Sequence, residues 1–230
     1  AKYKTYQSPS VEYRGIFLND EDWTLQPWSW KHFEPSTPGR IGPRTYKEIF
    51  KLLLRLRANA IWPGMHGITT PFYMVPGAKE AADSCGIVIG TSHCEPLMRS
   101  NVGEWDAAKY GEYNYITNRP VVQNYWIERL REAGKYENIY TIGMRGVHDS
   151  GMEGVKTLQE QTEALQQVID DQRRFLSHYV NPDVTQIPQQ FVPYKEVLEI
   201  MENGLQLPAD VTLTWCDDNY GYMTRLSDKE

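Results

Sequence analysis

What most constrains this chain is a cycle that recurs along it. A short apolar run is followed by a loop rich in Gly, Pro and polar residues, then by a longer stretch with helical spacing. The first apolar run, residues 13–18, stops at Asn19-Asp20-Glu21-Asp22, and residues 23–44 read as an aromatic loop with four prolines. Thr45-Tyr46-Lys47-Glu48 has the form of a capping box. Ile49, Leu52, Leu53 and Leu56 share one face, so a helix is predicted over 45–58. Further strands are predicted at 60–62, 87–91, 139–143, 189–192 and 211–215, with helices at 77–85, 121–134 and 157–179 and a short one ending at Asn203. The helix at 157–179 opens on a second capping box, Thr157 to Glu160, and its inner stripe reads Leu158, Leu165, Ile169 and Leu176. Residues 96–118 read as a long insertion.

Strand, loop and helix repeated in one direction imply right-handed βαβ units and a parallel sheet. A doubly wound sheet would show a glycine fingerprint in its first βα turn, and Asn19-Asp20-Glu21-Asp22 has none. Polar and charged residues recur after nearly every strand, as they do in a (β/α)8 TIM barrel. The fold predicted is therefore α/β, a single domain over residues 1–230, with about six parallel strands of an incomplete (β/α)8 barrel. An unclosed sheet leaves its first and sixth strands with open edges. These invite cover by the chain's own ends or pairing into a homo-oligomer.

Composition narrows the partners. Lys plus Arg number 24 against 30 Asp plus Glu, a net charge of −6, which disfavours nucleic acid and anionic membranes. No run approaches the roughly 18 consecutive apolar residues of a membrane span. Cys85, Cys94 and Cys216 cannot all pair and none lies in a CxxC spacing, so neither a disulfide scaffold nor a structural zinc site is expected. The chain starts Ala1-Lys2-Tyr3 without a leader and reads as a mature protein or an excised segment. Seven Trp and 15 Tyr supply flat faces with polar edges, which suit sugar rings as well as a core.

In a parallel barrel the βα loops converge on one face. The residues gathered there are Asn19, Asp20, Glu21 and Asp22; Trp62 and His66; His93 and Glu95; Arg145, His148 and Asp149; Tyr194 and Glu196; Trp215, Asp217, Asp218 and Asn219. Carboxylates, histidines, an arginine and exposed tryptophans are the parts needed to cleave a glycosidic bond. One carboxyl delivers a proton to the leaving oxygen, and a second, ionised, activates water or attacks the sugar. Arg145 among acids either bridges them or binds an anionic substrate bidentately. His93, His148, Asp149 and Asp217 are types that ligate metals, although nothing in their spacing demands it. HExxH, GxSxG and phosphate-loop patterns are missing.

Several strings are similar to those of glycoside hydrolase family 115. They are residues 12–22 (EYRGIFLNDED), 59–63 (NAIWP), 90–96 (GTSHCEP), 143–149 (GMRGVHD) and 215–221 (WCDDNYG). The resemblance implies a barrel enzyme, metal-free and without cofactor, that removes α-1,2-linked and often 4-O-methylated glucuronic acid from xylan with inversion. It also implies a secreted or periplasmic location and glucuronoxylan or its oligosaccharides as partner. By the same resemblance Glu196 is the general acid and Asp149 the base, with Asp20 and Asp217 as competitors for that second role. Arg145 would meet the substrate carboxylate; Asn19, His93 and Asn219 would bond hydroxyls; Trp62 and Tyr194 would border the pocket. The competing reading is a barrel fragment that binds sugar without cleaving it, and a third is a metal-dependent hydrolase.

Overall fold

The computed structural model describes residues 4, 6–18, 24–37, 39–218, 220–223 and 225. Three short strands, β1 (Gly15–Phe17), β2 (Ala60–Trp62) and β3 (Val88–Ile89), pair in that order as one parallel sheet. A second parallel sheet holds β4 (Tyr140–Thr141), β5 (Gln189–Phe191) and β6 (Thr212–Leu213), again in sequence order. One parallel bridge, Ile89 to Asn138, joins the two, and Ile139 N donates to Ile89 O at 2.9 Å. All six strands therefore run the same way in chain order, but as two three-stranded sheets rather than one continuous sheet. The Asn138 amide is committed to the carbonyls of Ala133 and Tyr136, at 3.0 and 3.1 Å, and the ladder there is one bridge long.

The helices are α1 (Leu25–His32), α2 (Pro43–Arg55), α3 (Ala78–Cys85), α4 (Asn101–Glu104), α5 (Ala107–Tyr110), α6 (Arg119–Ala133), α7 (Leu158–Tyr179) and α8 (Glu196–Glu202). Two of them correct the sequence reading. The loop expected over 23–44 contains α1, because its Pro27 sits in the first turn, where no intrahelical N–H is needed. Thr45 is no cap. α2 starts earlier, at Pro43, and Glu34 Oε1 closes its open end by accepting from Arg44 N at 2.7 Å and Thr45 N at 3.3 Å. The Thr45 hydroxyl instead meets Ser29 at 2.6 Å, and Glu48 pairs outward with Lys51. The buried face of α2 is consequently Tyr46, Ile49, Phe50 and Leu53, while Leu52 and Leu56 face solvent.

The second capping box forms as read. Thr157 Oγ1 accepts from Glu160 N at 3.2 Å, and Glu160 Oε2 accepts from Thr157 N at 3.0 Å. From α7, Leu165, Val168, Ile169 and Leu176 are wholly buried, whereas Leu158, in the first turn, is exposed. The core also takes twelve of the aromatic side chains, among them Trp105 and Trp126. Trp126 stacks on Tyr115 at 5.5 Å between centroids, and Trp105 meets Tyr113 and Tyr125 edge-on at 4.8 and 5.0 Å. The stretch expected as an insertion over 96–118 thus joins the core through Leu97, Met98, Trp105, Tyr113 and Tyr115, which flank the short helices α4 and α5. Among the described residues no helix is long and apolar enough to cross a membrane.

Candidate active site

Parallel strands aim their C-terminal ends at one edge, and the loop after β4 is launched by a fixed device. The Gln172 side chain from α7 brackets Gly143, accepting from its N–H at 2.7 Å and donating to its carbonyl at 2.8 Å. Gly143 has φ +101°, which glycine adopts at no steric cost. The chain then turns Arg145 inward, where it is 2 % exposed.

Arg145 is the hub of the site. Its Nε and Nη2 donate to Glu196 Oε1 and Oε2 at 2.7 and 2.8 Å, a two-pronged pair. Its Nη1 donates to Asp149 Oδ1 and to Cys94 Sγ, the latter at 3.4 Å. Asp149 Oδ2 accepts from Lys195 Nζ at 2.6 Å. His93 Nε2 stands 3.4 Å from Asp149 Oδ1 without hydrogen-bond geometry, and its ring lies 4.5 Å from that of Tyr194. Arg145 is 5.5 Å from the same Tyr194 ring. Lys195 has φ +52° and ψ −126°, a strained conformation for a side-chain-bearing residue, costing about 1–3 kcal/mol. It directly precedes Glu196, the first residue of α8.

The charges account for the proton affinities. Burial alone would raise the Asp149 carboxyl, but the Lys195 and Arg145 bonds outweigh it and lower it to about 2. Burial, and then the Arg145 charge, lowers His93 to about 4, so its imidazole is neutral. Burial pushes the Cys94 thiol up to about 12. Arg145 is held charged: burial works against its charge, but the Glu196 and Asp149 bonds more than offset that.

His93, Cys94 and Asp149 bring one donor atom each within 4.8 Å of one another, a spacing that suits a metal. The donor chemistry does not suit one. Arg145 already donates to both the Cys94 sulfur and the Asp149 carboxylate, and Lys195 occupies the other Asp149 oxygen.

The structure thus brings together Glu196, Asp149, Arg145, His93 and Tyr194 from the sequence-derived set. It adds Lys195 and Cys94, which that set omits; a lysine directly before a strand-end glutamate was the available signal. Asp217 follows β6, and no hydrogen bond or ion pair links it to the Arg145 cluster among the described residues. Trp62 sits on the inner wall instead: a Cβ at Gly90 would lie 2.5 Å from its Nε1, so glycine is required beside it. It meets Phe17 edge-on at 5.6 Å and lines a cavity of about 640 Å³ with Gln190, Thr212 and Thr214. This cavity opens between the edges of β1 and β6, and the Arg145 cluster contributes nothing to its lining. It is the space between the sheets, so the charged cluster is the better candidate for chemistry. Asn19, Asp20 and Asn219 lie outside the described residues.

One further carboxyl lies nearby. Glu95 is buried, and burial raises it to about 7, against the pull of Ser92 N and Oγ bonds at 3.1 and 3.0 Å. A folded-state value above the ordinary 4.5 contributes stability that is complete below pH 4.5 and is lost as pH rises through 7. Glu95→Gln should remove that loss, gaining about 2–3 kcal/mol on the alkaline side and little at acid pH. Thermal unfolding on both sides of that window checks it, and a pH-independent difference contradicts it.

With the geometry in place, comparison with known proteins supplies the family. The model of glycosyl hydrolase family 115 matches residues 6–230. The chain belongs to that family. A search of curated proteins finds no match. Among solved structures it is similar to BtGH115A, described as a family 115 4-O-methyl-α-glucuronidase with specificity for decorated arabinogalactans. That likeness has 56% identity and a TM-score of 0.92 over 96% of this chain. The chain spans 29% of the length of that structure.

Proposed function

We propose that this chain carries the acid–base centre of an α-glucuronidase, a glycoside hydrolase that removes α-linked glucuronic acid, free or 4-O-methylated, from a plant polysaccharide. The observation that carries the reading is a buried guanidinium shared by two carboxylates at the ends of parallel strands. Family membership and the 56% identical 4-O-methyl-α-glucuronidase support it. We read the six strands as part of a (β/α)8 barrel; the cavity between β1 and β6 is where two further parallel strands would close the ring.

In this reading Glu196 gives its proton to the glycosidic oxygen as the bond from the sugar C1 to that oxygen breaks. A water attacks C1 from the opposite face and passes its proton to Asp149, with inversion. Asp149 is ionised at every working pH, as a base must be. With its proton affinity near 2 it is a weak one, so its contribution is mainly to hold the water in place. Arg145 takes the uronate carboxylate, and neutral His93 and Tyr194 line the sugar. Asn19, Asp20, Asp217 and Asn219 are assigned to sugar hydroxyls, and Trp62, which lines the separate cavity, is given no contact with the sugar.

The linkage we assign is α-1,2 on xylan. A second polymer, a glucuronic-acid-decorated arabinogalactan, is favoured by the description of BtGH115A. Incubating the intact protein with each polymer and separating the products by chromatography tests both. Free glucuronic acid from either supports the activity, and the preferred polymer decides the substrate. Proton NMR should show the β-anomer first if the bond is inverted. Release from neither polymer overturns the reading.

A further inference from the structure

We propose that the substrate's own carboxylate takes the place of Glu196 on Arg145, and that Glu196, once displaced, takes up a proton from solvent and only then is a general acid. The inference rests on the roles assigned above to Arg145 and Glu196.

The starting arrangement cannot donate. Arginine N–H groups only donate, and both Glu196 oxygens accept from them, so the carboxylate is in its proton-free form. The two-pronged edge of the guanidinium is filled by Glu196, and Nη1 is filled by Asp149 and Cys94. One Nη2 N–H is left over, so an incoming carboxylate gains a paired seat on Arg145 only when one of these three partners gives way, and the Nε/Nη2 edge opens only if Glu196 does.

Glu196 is the one with less to lose. Asp149 keeps a second cation in Lys195, whereas among the described residues Glu196 accepts hydrogen bonds from Arg145 alone. The Glu196 side chain is 31 % exposed, so water can receive it.

Charge balance then supplies the proton. Arg145 and Lys195 offset Asp149 and Glu196 with His93 neutral, so the site starts at zero. An anionic sugar added alone would leave one uncompensated negative charge against a buried guanidinium. One proton on Glu196 restores neutrality, and it settles on the carboxyl that has lost its cation and gained anionic neighbours. Arg145, from the loop after β4, is bonded to this carboxyl, and the same guanidinium holds Asp149 and, from the loop after β3, Cys94, with His93 3.4 Å from Asp149. From its own segment come Tyr194, Lys195 and, one turn on, Glu199. Of these, His93 is the rival proton acceptor.

The test is titration calorimetry of the intact protein with glucuronate at about pH 6, in two buffers of different ionisation heat. The expected result is a buffer-dependent heat matching uptake of close to one proton per sugar, and an affinity falling up to tenfold per pH unit across the uptake range. Glu196→Gln should still bind glucuronate but show the same heat in both buffers. Binding without uptake in the wild type, uptake that persists in Glu196→Gln, or no binding at all overturns the exchange. Failure here is separable from failure of the activity. Release of glucuronic acid together with buffer-independent binding removes only the exchange, and uptake without release removes only the activity.

Discussion

Glu196→Gln lowers kcat on a glucuronic-acid-bearing polysaccharide by about 10²–10⁴-fold, the range lost with a positioned general acid. The amide nearly matches the carboxylate in shape but has no proton to deliver to the leaving oxygen. The diagnostic is the leaving group. A sugar alcohol leaves poorly without a proton, whereas an acidic phenol leaves as the phenolate. On an aryl α-glucuronide the Glu196→Gln defect should therefore shrink to within about tenfold. Asp149→Asn should lose as much on the aryl substrate as on the polymer, because water must be held whichever group departs. Equal defects for Glu196→Gln on both substrates would remove it from the acid role. If Asp217→Asn, rather than Asp149→Asn, is the variant that loses activity on both, the base assignment moves to β6. Glu196→Gln also turns one amide N–H toward the Arg145 donors, at about 1–3 kcal/mol, so thermal unfolding must accompany the kinetics.

The fold was legible wherever the signal is local. α7 announces itself through Thr157 and Glu160, two residues that satisfy each other within one turn, and through a stripe in which Leu165, Ile169 and Leu176 are all buried. The parallel strand order followed from the cycle of runs and helices, because a right-handed crossover leaves few alternatives. What was illegible depends on residues distant in sequence. The start of α2 is decided by Glu34, which reaches over from beyond α1, so Thr45 looks like a cap and is not one. The rotation of α2 that buries Tyr46 and Phe50 follows from that earlier start and from what packs against it.

The site shows the same division. Which residue types gather at the strand ends could be read from the sequence, and Glu196, Asp149, Arg145 and His93 do meet there. Whether Arg145 bridges the acids or waits for a substrate could not be read, because that depends on the path of the loop after β4. Gly143 and Gln172 set that path. Lys195 was overlooked because its importance lies in a backbone angle and a partner 46 residues away.

The largest destabilisation should come from Arg145→Met. The side chain is almost wholly buried, and it is the cation for Glu196, half of the compensation for Asp149 and a donor to Cys94. Removing one partner of a buried ion pair costs about 3–5 kcal/mol, because the other charge is left uncompensated. Here both acids are 31 % exposed at the side chain and Lys195 still holds Asp149, so water screening brings the expected loss to about 2–3 kcal/mol. The loss must depend on pH in a stated direction. In the wild type Asp149 is depressed from 3.8 to about 2. The stability it contributes is therefore complete above pH 3.8 and is lost as pH falls toward 2. Protonated acids no longer need the arginine, so the wild-type advantage should narrow across that window and stay constant above it. Thermal unfolding of the intact wild type and Arg145→Met at neutral pH and near pH 3 reads this directly. A gap that does not narrow on acidification would mean that Arg145 stabilises by filling space rather than by charge. Glu196 and Asp149 would then not be joined through it as an electrostatic unit.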